Sequence, residues 1–241
     1  MSNVVIVTGA SQGLGLAIVR ALLEQDYRVV ALSRHCSEPL SELLKMQPEK
    51  LTFASADLSD LNAIPALCQS LLKKHGRPYA LINNAAVGHD GVLATLHNSQ
   101  ITELLNLNLQ APILMSKYLL RSMLLNRVGR IVNISSIIAQ TGFNGLSVYA
   151  ATKAGLEGFS RSLAREVGKA GITVNSVAPG YMQTNMTQNL SDENLKKIER
   201  RSALGKLATP DDVAAMVVYL LSEQAGAITG TVMTVDAGST A

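Results

Sequence analysis

Short runs of β-branched and other apolar residues alternate along this chain with longer stretches of helical periodicity. Within the runs, polar and apolar residues do not alternate, which is typical of parallel strands buried on both faces. We predict seven strands, at 4–7, 28–32, 51–55, 80–82, 130–134, 172–177 and 232–235. The stretches between them predict helices, at 13–24, 61–75, 99–127, 147–168 and 211–221. This pattern of βαβ units predicts an α/β fold, a doubly wound parallel sheet with helices on both faces, in one domain over residues 1–241.

The composition excludes several classes of protein. The 241 residues are 47% hydrophobic and 16% charged, which provides ample apolar area for a core and excludes a disordered chain. Apolar runs fall short of the roughly 20 residues that a membrane span needs. A formal net charge of +3 without an arginine-rich stripe argues against nucleic acid as a partner. Because the first residues show no targeting pattern, we expect a cytoplasmic protein.

The cysteines and histidines do not predict a metal site. Two cysteines, Cys36 and Cys68, are too few for a disulfide framework and stand in no Cys/His cluster. The 4 histidines show no pair at the i, i+4 spacing that places two ligands on one helical face. We therefore expect no structural metal.

The segment after the first predicted strand is rich in glycine and opens a helix. It reads Thr8-Gly9-Ala10-Ser11-Gln12-Gly13-Leu14-Gly15. Gly9 permits a tight turn, Gly13 lets the backbone approach a pyrophosphate, and Gly15 lets helix and strand pack closely. The N–H groups at the start of such a helix bind phosphates. This context predicts a dinucleotide site; the alternative is a glycine-rich turn without a ligand.

Tyr149 and Lys153 stand four residues apart on a predicted helix and so share one of its faces. A phenol with an ordinary pKa of about 10 is a poor acid or base at pH 7. An ammonium group about 4 Å away would stabilise the phenolate by roughly 4 kcal/mol at an effective dielectric of 20, and would bring the pKa of Tyr149 towards neutrality. Such pairs also occur by chance on solvated helices. The glycine turn, and Ser136 at a strand end thirteen residues before Tyr149, favour catalysis.

Six motifs, in order along nearly the whole chain, relate it to a known family. They are the glycine turn, Asn83-Asn84-Ala85-Ala86, Asn108, Ser136 with Tyr149-Ala150-Ala151-Thr152-Lys153, Pro179-Gly180-Tyr181-Met182-Gln183-Thr184, and Ile228-Thr229-Gly230 with Val235-Asp236. In these motifs the sequence resembles the short-chain dehydrogenases/reductases. The resemblance implies a Rossmann-type fold and hydride transfer with a nicotinamide cofactor. Within the family it is most similar to the 3-oxoacyl-[acyl-carrier-protein] reductases of fatty-acid synthesis.

The resemblance implies a role for each candidate site residue. Tyr149 would donate the proton to the carbonyl oxygen, Ser136 would hydrogen-bond that oxygen, and Lys153 would lower the pKa of Tyr149 and hold the nicotinamide ribose. Asn108 would hold the water that links Lys153 to solvent, or would be a helical asparagine satisfied by backbone. Ser135 is the nearest rival of Ser136. Further contacts to the cofactor are implied for Asp57, Leu58, Asn84, Ala85, Pro179, Gly180, Met182 and Thr184.

The end of the second strand indicates which nicotinamide cofactor is bound. An NAD-selective site places Asp or Glu there, where the carboxylate binds the ribose 2′-hydroxyl. Here Ser33 stands at that position, and the charge of Arg34 suits a 2′-phosphate. We therefore predict NADPH. The alternative is that Arg34 is an ordinary surface cation, and Gln12 stands where many NADP-preferring relatives have a basic residue.

The resemblance also implies a 3-oxoacyl thioester substrate, carried by an acidic acyl carrier protein. Such a carrier needs basic residues near the mouth of the site, and Arg127 and Lys169 are the candidates; the alternative is that both are merely solvated. We expect the polar segment 181–207 to be a mobile lid over the substrate. The alternative functions are reduction of a free ketone, quinone, sugar or steroid, and a non-catalytic nucleotide-sensing scaffold.

Two departures from the family and one surplus of apolar residues bear on geometry and assembly. Ala86 and Ala237 replace family glycines, and neither change removes a catalytic group. The predicted helices 99–127 and 147–168 are apolar on more than one side, and an exposed patch of that kind is a liability. Because relatives pack these helices between subunits, we expect a homotetramer.

Overall fold

Seven parallel strands form one sheet in the computed structural model, in the order β3-β2-β1-β4-β5-β6-β7. The structure describes residues 3–182 and 192–241. The strands are β1 Val4–Thr8, β2 Arg28–Ser33, β3 Leu51–Ser55, β4 Ala80–Asn83, β5 Gly129–Ile134, β6 Ile172–Pro179 and β7 Val232–Val235. Every predicted strand is present with bounds within two residues, so the doubly wound α/β fold is confirmed.

Helices cover both faces of the sheet. They are α1 Gly13–Glu24, α2 Glu38–Met46, α3 Ile64–His75, α4 Asn98–Leu105, α5 Ala111–Asn126, α6 Ile138–Thr141, α7 Ser147–Val167, α8 Asp192–Arg201 and α9 Pro210–Leu221. All five residues of β1 are buried because Val5 and Val7 pack with α1 and α9, whereas Val4 and Ile6 pack with α3, α5 and α7. Among the helices of the described ranges, none combines the length and apolar character needed to cross a bilayer.

The helix predicted at 99–127 is divided in the structure. A π-helical turn, Asn106–Gln110, separates α4 from α5 and holds Asn108 at its centre. The side-chain amide of Asn108 donates to the Val87 carbonyl and accepts from the Val87 N–H group, both at 2.8 Å. A π turn contains one residue more than an α turn, and such turns often lie at functional sites. Apolar periodicity over the whole segment does not detect one additional residue, and so predicts a continuous helix.

Three helices are missing from the predicted set, the single turn α6 and two longer helices. The first of the longer helices is α2, which follows Ser37. The Ser37 hydroxyl accepts a hydrogen bond from the N–H group of Leu40 at 3.4 Å, and Pro39 lies in the first turn of the helix. This serine–proline pattern is a helix-start signal that was available in the sequence. The second is α8, which lies within the segment 181–207 that we expected to be a lid. Residues 183–191 of that segment lie outside the described residues.

Val235 at the end of β7, and Ala237 just after it, hold the chain directly before segment 181–207 and near the end of that segment. On the entry side, the N–H group of Gly180 donates to the carbonyl of Val235 at 2.9 Å. On the exit side, the N–H group of Leu204 donates to the carbonyl of Ala237 at 3.1 Å. Ala237 adopts a left-handed φ of 55°, where the family has glycine. The two anchoring carbonyls are thus two residues apart.

Candidate active site

Thr8, the last residue of β1, joins β1 to the turn after β4. Its hydroxyl accepts hydrogen bonds from the N–H groups of Asn84 at 2.9 Å and Ala85 at 3.0 Å, and donates to the Ile82 carbonyl at 3.3 Å. The Asn84 side-chain amide donates in return to the carbonyls of Thr8 and Gly9, at 2.9 and 3.1 Å. The strand order reverses between β1 and β4, and ligands of α/β sheets bind at the crevice that this reversal creates.

The glycine turn has the backbone shape that was predicted for it. Gly9 and Gly13 adopt left-handed φ angles of 66° and 52°. A Cβ at Gly15 would lie 2.1 Å from the carbonyl oxygen of Gly9 and 2.7 Å from Nδ2 of Asn84, so helix, turn and the β4 loop are in direct contact. Gln12, just before α1, makes no side-chain hydrogen bond to the first turn of the helix. The first turn therefore presents N–H donors to the crevice, which fits a pyrophosphate.

The structure places the remaining predicted cofactor residues around the same edge of the sheet. Arg34 is exposed at the end of β2, and its charge contributes to a lowered pKa of Asp57, after the larger effect of hydrogen bonds from the hydroxyl and N–H groups of Ser59. Leu14 and Leu58 are buried, one in each of the two core clusters that lie on opposite faces of the sheet. The others are Ser11 in the glycine turn, Ser33 at the end of β2, Pro179 at the end of β6, and Gly180 and Met182 just after it; Thr184 lies outside the described residues.

Tyr149, Lys153 and Ser136 come together at the carboxyl end of β5. Ser136 follows that strand and hydrogen-bonds the Tyr149 phenol, while Lys153 lies one turn further along α7. The ammonium group of Lys153 donates to the carbonyl of Ile134 at 2.8 Å and lies 5.6 Å from the centroid of the Tyr149 ring. The rival Ser135 is buried and directs its hydroxyl to Glu157 instead, at 2.7 Å. Ser136 is therefore the serine that accompanies Tyr149.

We expected Lys153 to lower the pKa of Tyr149, but in the chain without a bound cofactor the pKa of Tyr149 is raised. Burial raises the pKa of Tyr149 to about 12, and the hydrogen bond with Ser136 opposes this only in part. Burial also lowers the pKa of Lys153 to about 8. The reason is that α7 and β5 withdraw both groups from water, which disfavours the charged form of each. At neutral pH the phenol is consequently protonated, which is the form that can donate a proton.

The side chain of Asn108 is satisfied by backbone groups, as the alternative interpretation of this residue predicted. Both polar ends of its amide bind Val87, and the residue is 1% exposed. The bond fixes the π turn to the loop after β4, one side of the crevice. A role in holding a water remains a prediction.

Arg127 and Lys169 lie together, but at the opposite edge of the sheet from Tyr149. The Arg127 guanidinium donates to the Lys169 carbonyl at 3.2 Å. Arg127 precedes β5 and Lys169 precedes β6, so both stand at the amino ends of these strands. From Tyr149 to Lys169 the chain advances twenty residues, nearly all in α7, or about 30 Å at 1.5 Å per residue. Both residues therefore lie far from the Tyr149 of their own chain, and carrier docking at a site mouth stays a prediction.

Two residues that organise the site were not identified from the sequence. Thr8 stands within the glycine motif, but its hydroxyl makes cross-strand bonds that spacing does not reveal. Glu157 stands four residues after Lys153, so its place on the same helical face was a visible signal.

Comparison with known proteins relates the chain to acyl-carrier-protein reductases along almost its full length. The sequence profile of a family described as Enoyl-(Acyl carrier protein) reductase matches residues 9–240. The chain is 36% identical over 238 residues to the 3-oxoacyl-[acyl-carrier-protein] reductase FabG of Vibrio harveyi, covering 98% of this chain and 96% of the relative. It is 37% identical over 238 residues to the FabG of Haemophilus influenzae, with coverages of 98% and 97%.

Two further similar proteins have names that do not refer to an acyl carrier protein. Carbonyl reductase family member 4 of Xenopus laevis is 37% identical over 238 residues, which cover 99% of this chain and 98% of the relative. The crystal structure of a variant of actinorhodin polyketide ketoreductase with NADPH superposes with a TM-score of 0.91 at 32% identity, covering 99% of this chain and 97% of the other. Fold, profile and identity over nearly the full length agree: the chain belongs to the short-chain dehydrogenase/reductase family of oxidoreductases.

Proposed function

We propose that this protein reduces a 3-oxoacyl thioester to the 3-hydroxyacyl thioester with NADPH. The observation that carries the proposal is the meeting of Ser136, Tyr149 and Lys153 at the carboxyl end of β5, beside the β1–β4 crevice. Relatives named 3-oxoacyl-[acyl-carrier-protein] reductases match the chain over nearly its whole length, which supports the thioester as substrate.

NADPH supplies the hydride when bound. Tyr149 donates its proton to the substrate oxygen, and Ser136 hydrogen-bonds that oxygen as negative charge develops on it. Lys153, whose pKa is about 8, carries a proton for much of the time at neutral pH and favours the phenolate that Tyr149 leaves behind. Asn108 holds a water between Lys153 and solvent. The expected lid at 181–207 and the expected contact from Thr184 stay predictions, because residues 183–191 lie outside the described residues.

The preference for NADPH rests on Arg34. It is exposed at the end of β2, where the serine before it offers no carboxylate to a ribose 2′-hydroxyl. The relative solved with NADPH supports this assignment. Replacement of Arg34 by alanine should lower the NADPH/NADH ratio of kcat/KM by about 10-fold or more, since a charge-assisted hydrogen bond is worth about 1.5–3 kcal/mol. Arg28→Ala, on an exposed arginine at the other end of β2, is the control. An unchanged ratio in Arg34→Ala would contradict the assignment.

Carrier-protein docking on Arg127 and Lys169 requires a second copy of the chain. The patch lies about 30 Å along α7 from its own Tyr149, so it serves a site on a neighbouring subunit. Leu105, the last residue of α4, and Leu124, near the end of α5, are 42% and 41% exposed, which supports pairing of these helices in a homotetramer. Light scattering should give an oligomer; a 25.6 kDa monomer at micromolar concentration contradicts this arrangement. Arg127→Ala should raise KM for a carrier-bound substrate and leave KM for the coenzyme A thioester unchanged.

A panel of substrates tests the proposed reaction. We expect NADPH oxidation with acetoacetyl thioesters of carrier protein and coenzyme A at a higher kcat/KM than with free ketones. Tyr149→Phe, which keeps the ring and removes the proton, should be inactive on all of them. Reduction of free ketones alone would contradict the thioester substrate.

Reduction of a free carbonyl compound is the second candidate. It is supported by the identity with the carbonyl reductase of Xenopus laevis, which equals the identity with the Haemophilus influenzae reductase. In that case the panel gives the reverse ranking, and Arg127→Ala has no effect on any substrate.

A further inference from the structure

A carboxylate is buried behind the catalytic pair and takes no part in the proposed chemistry. Glu157 lies on the inner face of α7, one turn after Lys153 and two turns after Tyr149. It is only 5% exposed. Carboxylates are almost never this buried without a partner, because removal from water strongly disfavours the charge.

The buried partner of Glu157 is Ser135. The serine hydroxyl donates to Oε1 of Glu157 at 2.7 Å, and Ser135 itself is 3% exposed. The ion pair that Glu157 makes within the described ranges is with Arg161, at 3.9 Å from Oε2, and the Arg161 side chain is 56% exposed. An exposed ion pair of that length contributes little. The bond from Ser135, a charge-assisted bond out of water, is therefore the main contact of the carboxylate.

Hydrogen bonds join α7 to four consecutive residues at the end of β5. Asn133 donates to the hydroxyl of Ser160 at 2.8 Å. Lys153 donates to the carbonyl of Ile134 at 2.8 Å. Ser135 donates to Glu157, and Ser136 hydrogen-bonds the phenol at the start of the helix. The bond from Ser135 to Glu157 involves no group that the proposed reaction uses. It holds the residue immediately before Ser136.

We propose that Glu157 is a positioning residue, which acts through Ser135 to hold Ser136 at the distance from Tyr149 that the reaction requires. The inference rests on the proposed function only in that Tyr149 and Ser136 reduce a carbonyl group, whatever the rest of the substrate. A purely structural role would be better served by leucine, which fills similar space without a buried charge. Stability and catalysis should therefore respond differently to an apolar replacement.

The test uses four variants of the full chain, each assayed with the carbonyl substrate that the wild type reduces best. Ser135→Ala, Glu157→Leu and the double variant break the bond, whereas Glu157→Gln keeps an acceptor oxygen for Ser135. Glu166→Leu, on an exposed glutamate of the same helix, is the matched control. For each, kcat, KM, the Kd for NADPH from nucleotide fluorescence and the unfolding midpoint are measured.

We expect kcat to fall roughly 10- to 100-fold in the three broken variants, as small misplacements of catalytic groups do elsewhere. KM and the Kd for NADPH should stay within about twofold. The double variant should be no slower than the slower single variant, because both changes break one contact. Glu157→Gln should retain kcat within about threefold, and the double variant should unfold no earlier than the wild type.

Three outcomes would overturn the proposal. They are a wild-type kcat in the double variant, a parallel loss of kcat and NADPH binding with early unfolding, and multiplication of the two single effects in the double variant. The Lys153 carbonyl, 3.4 Å from the Ser135 hydroxyl, remains as a second acceptor in Glu157→Leu. If that variant nevertheless fails to fold, Ser135→Ala and the double variant still test the proposal. If the wild type reduces free ketones and not thioesters, the proposed function fails, while this test proceeds on a ketone.

Discussion

Replacement of Lys153 by methionine should stabilise the free protein and abolish its activity. The side chain is 3% exposed, and burial lowers its pKa from 10.5 to about 8. A difference of about 2.5 units corresponds to roughly 3 kcal/mol of unfavourable free energy for the buried ammonium group. The hydrogen bond to Ile134 is lost in the variant, which offsets about 1 kcal/mol. We therefore expect a net gain of about 2 kcal/mol in the free energy of unfolding at pH 7.

The gain should depend on pH in a defined direction. Between pH 8 and 10.5 the folded lysine has released its proton, whereas the unfolded lysine still holds it. The unfolded state then binds more protons, so the wild type becomes more stable as the pH rises through this window. Below pH 8 both states are protonated and the full penalty remains. The advantage of Lys153→Met should therefore be largest at pH 7 and should shrink towards pH 10.

Urea unfolding of both proteins at pH 7, 8, 9 and 10 measures this difference, at one protein concentration because subunit association contributes to stability. Lys169→Met, on an exposed lysine just after the same helix, should change stability by no more than about 0.5 kcal/mol at any of these values. A methionine variant that is less stable at pH 7, or a difference that does not change with pH, would refute burial of the charge as the cause.

Three other substitutions test the frame of the site. Gly15→Ala should cost more than about 3 kcal/mol or prevent folding, because its Cβ would lie 2.1 Å from a backbone oxygen; urea unfolding and NADPH binding report it, and a stable, NADPH-binding variant would contradict the packing. Thr8→Val leaves two N–H groups after β4 without an acceptor and should lower the free energy of unfolding by about 3 kcal/mol, whereas a neutral effect would show that these groups find other partners. Ala237 has a left-handed φ of 55°, and Ala237→Gly removes the strain of that conformation, roughly 1–2 kcal/mol. The greater entropy of the unfolded glycine chain offsets up to about 1 kcal/mol of this gain. The substitution should raise the thermal midpoint by a few degrees, and a lower midpoint would exclude strain at this residue.

The strands and the location of the site were predictable because they depend on local patterns. A strand such as β1 is buried on both faces, so its apolar run is continuous and its ends are marked by turn residues. The glycine turn is equally local. Within one βα connection, Gly9 and Gly13 adopt left-handed φ angles, and Gly15 leaves no room for a Cβ. The motifs around Tyr149 then identify the strand end at which the chemistry is proposed.

The remaining features depend on distances between segments that lie far apart in the chain. Spacing places Tyr149 and Lys153 on one face, but the degree to which β5 and α7 remove them from water decides the direction of their pKa shifts. The π turn depends on Val87, which lies 21 residues before Asn108. The distance of Arg127 from Tyr149 of the same chain follows from the strand bounds. Arg127 precedes a strand, and residues before parallel strands share the amino edge of the sheet, opposite the ligand crevice.

The anchoring of residues 180 and 204 by the end of β7 bears on how such a chain can change its substrate. Two carbonyls, those of Val235 and Ala237, hold the chain where it leaves the sheet and where it returns. Because the frame on both sides is fixed by backbone groups, residues 183–201 can be lengthened, shortened or exchanged at a modest cost in loop entropy. Exchange of residues 183–201 for the corresponding residues of a relative with another substrate should therefore transfer substrate specificity. The hydrogen bonds of the recipient sheet should stay unchanged.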